Sequence, residues 1–244
     1  MEERVVTPPQ ISTATPGFEQ TIEICRTRLD LAQEDFVLDV PCGHGEALVR
    51  LAASHDIRGV GVDLGEAVET ATAKSTSRIS FLKADARSLQ FPDDQFDVVL
   101  CIGGPMNISP AISQRQAPSA EQLQENLNEL MRVLRPGGRI VTSDMYVATT
   151  EVRPGRYTVG QWVEMVEAPG ADVELFEALP VDAWDEYLEP RLELARWWRQ
   201  EVGDDPQALA NLDAHEADLL ALRPEGRLAY YGTFVARRRG DRTA

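Results

Sequence analysis

Asp35-Phe36-Val37-Leu38-Asp39-Val40-Pro41-Cys42-Gly43-His44-Gly45-Glu46 runs on into Ala47-Leu48-Val49-Arg50-Leu51-Ala52, and the reading of this stretch decides the fold. It begins as a short apolar run closed by an acid, the pattern of a strand buried on both faces of a parallel sheet. The chain then turns through Gly43-x-Gly45 and enters a helical pattern with Ala47, Leu48, Leu51 and Ala52 on one face. Strand, glycine turn and helix is how a doubly wound α/β sheet sets a nucleotide-like ligand at the carboxyl ends of its strands. The glycines let a ligand approach backbone where a Cβ would collide. A lone Gly-x-Gly serves equally as an ordinary strand-to-helix turn, so the stretches downstream have to decide.

Two more apolar runs end in an acid. Gly59-Val60-Gly61-Val62-Asp63 closes 24 residues after Asp39, and Ile79 to Asp85-Ala86 closes 22 residues after Asp63. A carboxylate at the end of the second strand offers two acceptor oxygens to a ribose diol. Dinucleotide folds share that feature, and NAD-dependent oxidoreductases are the competing class. Their Gly-x-Gly-x-x-Gly frame requires glycine where Leu48 stands.

The other frame is acid-x-Gly-x-Gly-x-Gly. Asp39-x-Pro41-x-Gly43-x-Gly45 resembles it, with Pro41 at the first glycine; that departure removes one N–H. Phe91-Pro92-Asp93-Asp94-Gln95-Phe96-Asp97 then leads the apolar run Val98 to Cys101. Leu134-Arg135-Pro136-Gly137-Gly138 precedes Arg139 to Thr142. In this order the stretches resemble the class I S-adenosylmethionine-dependent methyltransferases over about residues 35 to 145.

The resemblance implies an α/β fold: a Rossmann-like, doubly wound, seven-stranded sheet with an antiparallel last strand and a helical cap. It implies S-adenosyl-L-methionine as cofactor, held by Asp39, Gly43, Gly45, Asp63, Leu64, Asp85, Ala86 and Cys101. Asp85 and the N–H of Ala86 would hold adenine. The stretch Ile102 to Asn107 would lie where methyl donor and acceptor meet. A protein that binds this cofactor without activity also remains open, because the sequence forces no catalytic residue.

Composition bounds the function. A chain of 244 residues, 43% hydrophobic, is long enough for one sizeable core. A net charge of −16 repels phosphate backbones and anionic lipids, which disfavours nucleic acid and membrane as partners. Cys25, Cys42 and Cys101 are odd in number and lack metal-ligand spacing, so no metal is expected and free thiols in a cytoplasmic setting are the natural reading.

Residues 1–16 read as a flexible arm. Residues 17–180 and 226–240 read as the methyltransferase domain. Residues 181–225 read as a helical insertion capping a substrate pocket, because the last two strands are otherwise joined tightly. Ser119-x-x-Gln122 and Thr158-x-x-Gln161 are capping boxes. Trp184, Leu188, Leu192, Ala195 and Trp198 lie on one helical face, with a break expected near Pro190. Leu212, His215, Leu219 and Leu222 share a face of a second helix opened by Asp205 and Pro206.

His215 is the candidate base, since imidazole titrates near neutrality, although a His on such a face is more often a packing residue. Asp144 and Tyr146, after the fifth strand, are lesser candidates. Trp197 and Trp198 could box a cation. From Ala171 to Leu222 there are fourteen Asp or Glu against three Arg, which favours a cationic acceptor and is equally the composition of a solvated lid. The expected reaction is transfer to N or O of a small molecule, by alignment and desolvation.

Overall fold

The computed structural model describes residues 15–108, 118–148, 156–180, 183–221 and 230–240. In chain order the elements are α1 (Phe18–Arg28), β1 (Phe36–Asp39), α2 (Glu46–Ser54), β2 (Arg58–Asp63), α3 (Ala67–Thr72), β3 (Ile79–Lys83) and β4 (Phe96–Ile102). After a 3-10 turn, Pro105–Ile108, come α4 (Ala120–Val133), β5 (Leu134–Tyr146), α5 (Val159–Glu167), β6 (Ala171–Ala178), α6 (Ala183–Glu201), α7 (Pro206–Ala221) and β7 (Tyr230–Arg238).

The strands form one seven-stranded sheet in the order β3-β2-β1-β4-β5-β7-β6. β7 runs antiparallel to both neighbours, and the β1, β2, β3, β4 and β5 pairings are parallel. This is the expected Rossmann-like architecture. Strand alternation sends neighbouring residues to opposite faces. Val37 joins a core with Cys25 of α1, Leu48 of α2 and Val68 of α3, while Leu38 joins one with Leu127 and Leu130 of α4 and Val166 of α5. Both faces are thereby covered, as a parallel sheet requires. The strand order reverses between β1 and β4, which opens a crevice at their carboxyl ends.

Both capping boxes form, Ser119 and Thr158 each accepting from the N–H three residues on. Asp205 Oδ1 accepts from the N–H groups of Gln207 and Ala208, opening α7 with Pro206 in its first turn.

Four expectations need correction. Leu134 to Gly138 does not stand ahead of β5: Leu134 already pairs with Phe96, and the register jumps to Val98↔Arg139, so Arg135 to Gly138 form a bulge within the strand. Pro190 does not break α6, which runs unbroken from Ala183 to Glu201. The missing hydrogen bond is outweighed by burial of Trp184, Leu188, Leu192 and Ala195 around it. The stripe stops there, because Trp198 is 46% exposed. Finally, Thr15 and Pro16 are buried, so the end of the arm is packed into the domain. Residues 1–14, Leu222 and Leu228 lie outside the described residues.

α6 and α7 sit at the carboxyl end of the sheet. Trp184, Leu188, Leu192 and Leu219 pack with Tyr231 at the start of β7, with Met145 near the end of β5, and with Leu179 after β6. Those three residues mark the same end as the glycine turn.

Candidate active site

The crevice holds a cavity of about 180 Å³. It is lined by Asp39, Pro41 to His44, Glu46, Ala47 and Asp63, together with Thr15, Phe18, Ile102 and Asn107. The glycine turn is held in place by a carboxylate: Asp63 Oδ2 accepts from the Gly43 N–H at 2.8 Å, and Oδ1 accepts from the Gly65 N–H at 2.7 Å. Gly45 stands at φ 77°, and a Cβ there would lie 2.5 Å from the Phe81 ring, so both conformation and space demand glycine. His44 lends its carbonyl to Lys74 Nζ at 3.0 Å, and Lys74 also pairs with Glu46.

Asp39 is 1% exposed, yet its Oδ2 has no partner among the described residues. Burial pushes its carboxyl up to about 7, against an opposing hydrogen bond from the Leu48 N–H, and the charge of Asp63 raises it further. A buried carboxylate oxygen without a donor is costly. In a residue that lines a cavity, such an oxygen suits a ligand that brings a cationic N–H group. The Cys42 thiol close by is itself pushed above its ordinary range by burial and by the charges of Asp39 and Asp63. Among the described residues no cluster of His, Cys, Asp or Glu could hold a metal ion.

At the far end of β2, Leu64 is 59% exposed, an apolar side chain with a free face. Asp85 leaves β3 beside it and is bound by Arg87 through both oxygens, which holds its carboxyl below the usual range. Ala86 is buried against the core under α4, so only its backbone remains for a ligand.

Cys101 is completely buried in that same core, and the residue of β4 that lines the cavity is Ile102. Alternation along the strand is the reason: one residue further on reverses the face. Sequence reading marked the stretch Ile102 to Asn107 but missed Thr15 and Phe18. Only Phe18 carried a signal, the helical spacing with Ile22 and Cys25, and that spacing indicates packing as much as lining.

Asp144 is not among the residues that line the cavity. It is 3% exposed, its Oδ1 accepts from the Met145 N–H at 2.7 Å, and Oδ2 from the Met106 N–H at 3.4 Å. Burial pushes its carboxyl up to about 8, while those two N–H groups lower it. A Cβ on Gly104 would meet Asp144 Oδ2 at 2.0 Å, so the loop over the acid closes only with glycine. Asp144 thus anchors the turn that carries Asn107.

The remaining candidates lie elsewhere. His215 is exposed on α7 and does not reach the cavity. Tyr146 stacks on Tyr230, with ring centroids 5.4 Å apart. Trp197 and Trp198 meet edge to face at 4.7 Å, which is packing between themselves rather than two walls of a box. No residue of α6 or α7 lines the cavity among the described residues, and no helix there is long and apolar enough to cross a membrane.

Residues 37–138 match the family model described as a methyltransferase domain. A 27-O-demethylrifamycin SV methyltransferase of Amycolatopsis mediterranei (strain S699) is 33% identical over 122 residues, covering 48% of this chain and 40% of that protein. The chain spans only 40% to 60% of the length of the first three curated relatives. Among solved structures, a SAM-dependent methyltransferase from Geobacter sulfurreducens in complex with S-adenosyl-L-homocysteine superposes with a TM-score of 0.74 at 22% identity, covering 93% of this chain and 94% of that one. The [4+2]-cyclase SpnF superposes with a TM-score of 0.72 at 20% identity, covering 91% and 81%. At such identities the likeness is one of fold.

Proposed function

We propose that this chain, whose residues 37–138 belong to the class I S-adenosylmethionine-dependent methyltransferase family, moves a methyl group from S-adenosyl-L-methionine to N or O of a small-molecule acceptor. The observation that carries the reading is Asp39, which lines a cavity walled by the glycine turn and whose buried Oδ2 has no donor among the described residues. The cofactor presents an ammonium group, which fits that oxygen, and a ribose diol, which fits the remaining lone pairs of Asp63. When bound, it supplies an electrophilic methyl on a sulfonium.

The chain's own residues bind, orient and exclude water. Asp39 and the turn would fix the amino-acid end, and Asp63 the ribose. Leu64 would give the base an apolar wall, and the Ala86 N–H a donor to it. Ile102 and Asn107, held up by Asp144, would form the wall facing the methyl. Alignment of this kind is worth several kcal/mol, and a nucleophile that arrives deprotonated needs no base. The reading therefore assigns His215 no role. A small-molecule acceptor is supported by the relative named for a demethylrifamycin; the acidic surface of α6 and α7 favours a cationic one.

Calorimetry with S-adenosylmethionine, S-adenosylhomocysteine, NAD and FAD tests it: the first pair should bind at micromolar concentrations and the second pair not. NAD binding without S-adenosylmethionine binding would overturn the reading in favour of an oxidoreductase. Mass-spectrometric detection of a methylated product from a panel of hydroxyl and amine acceptors separates an enzyme from a protein that only binds the cofactor.

A further inference from the structure

Asp63 pairs in register with Lys83, and the Ala84 N–H donates to the Asp63 carbonyl at 3.1 Å. Leu64 and Asp85 therefore leave neighbouring strands at one level, next to the ribose acid. An ionised carboxylate has about four lone-pair positions. At Asp85 one residue fills them all. Oδ1 accepts from the Arg87 backbone N–H and from Nε, both at 2.9 Å, and Oδ2 accepts from Nη2 at 2.6 Å and from Nε at 3.1 Å. Nη1 is left without a protein acceptor among the described residues.

A purine whose exocyclic amine needs Asp85 finds no lone pair there until the guanidinium swings away. The side chains are 44% and 35% exposed, and an ion pair so exposed is weak, so it can open. While closed, it leaves the Nη1 N–H donors unengaged, and those suit a 6-oxo purine, whose O6 and N7 both accept.

We propose that Arg87 is a specificity-determining residue of the base subsite: by occupying Asp85 it reduces the preference for a 6-amino over a 6-oxo purine that Asp85 alone would impose. The inference rests on the S-adenosylmethionine reading and adds to it the residue that follows the Asp85-Ala86 pair. Arg87 acts through Asp85, so it is a positioning residue, and selectivity rather than affinity is the quantity to read.

The test is competition calorimetry with S-adenosyl-L-homocysteine and its 6-oxo analogue, S-inosyl-L-homocysteine. The wild-type protein should prefer the amine by about threefold or less, and Arg87→Ala should raise that preference to about tenfold or more, the effect of one hydrogen bond to a freed charged acceptor. Arg87→Ala with Asp85→Ala should return the ratio to near one. Arg87 bonds only to Asp85 among the described residues, so the single variant should melt like wild type. If Arg87→Ala weakens both ligands equally, or leaves the ratio unchanged, the inference fails while the cofactor reading stands. If wild type binds neither ligand, the cofactor reading fails and takes the inference with it.

Discussion

The turn between β1 and α2 and the helical pair α6–α7 stand at the same end of the sheet and are built on opposite terms. The turn keeps polar groups in poor company: a buried Asp39 with an orphan oxygen, and an Asp63 tied up by backbone N–H groups. The helical pair buries Trp184 and Leu188 completely against Tyr231. It turns its charges to solvent, where Arg199 bridges Asp213 and Glu216. The first region gives up stability to hold a binding geometry. The second gains stability and contributes nothing to the cavity among the described residues. Proximity to a site and membership of it are thus separate matters, decided by which side chains lack a protein partner.

The comparison breaks most visibly at Trp184. Trp184→Ala should destabilise the protein by about 3–5 kcal/mol, the range for a buried aromatic truncated in a core. It should leave S-adenosylhomocysteine affinity within about twofold for the fraction that stays folded, since the cavity is elsewhere. Urea unfolding paired with calorimetry reads both quantities. A large loss of affinity would mean that the helices do wall the ligand.

Gly45→Ala should cost about 2–4 kcal/mol of stability, because a positive φ and a clash with the Phe81 ring add up. Gly43→Ala meets nothing within 4 Å and should cost about 1 kcal/mol, from its φ of 51° alone. Thermal melting of the two variants side by side measures the difference. Equal losses would show that the ring moves aside.

Asp63→Ala should weaken S-adenosylmethionine binding by about 2–3 kcal/mol, through loss of a charged acceptor. Some of that arises from release of the Gly43 N–H rather than from the ribose. An S-adenosylmethionine analogue lacking both ribose hydroxyls separates the parts: its affinity should fall less in the variant than that of the parent compound.

The smallest effect concerns Asp39 and pH. Its folded pKa is raised to about 7, so the folded state holds the proton more tightly than the unfolded chain does. Stability is then fullest below the unfolded value, near 4, and declines as pH rises through about 7. Asp144, raised to about 8, adds a decline of the same sign. Asp39→Asn should remove the first part, gaining on the order of 1–2 kcal/mol relative to wild type between pH 5 and pH 8. Denaturant unfolding at the two pH values checks it, and a wild-type curve that rises over this window would contradict the direction.

Much of the site was legible. Three acids at intervals of 24 and 22 residues, each closing an apolar run, could be placed at strand ends, because strand direction and length follow from local pattern. What those acids touch was not legible. Asp63 proved to be engaged by Gly43, 20 positions away in the chain, and Asp85 by Arg87. The side chain of Cys101 faces the core and that of Ile102 the cavity, a difference of one residue that reverses the face.

The chain's pattern therefore determined the strand-turn-helix at Gly43, the order of the elements and the capping boxes, since each is written in residues close together, while the antiparallel last strand was implied by the family resemblance alone. Tertiary structure alone decided that Pro190 sits inside an unbroken helix, that Trp198 faces solvent, that Thr15 and Asn107 line one cavity with Asp39, and that His215 stays away from it. The physical reason is the same in each case. Local preferences are worth about 1 kcal/mol per residue or less, with proline the exception at about 3. Packing a side chain such as Trp184 is worth several, and its partners come from parts of the chain that no local pattern names.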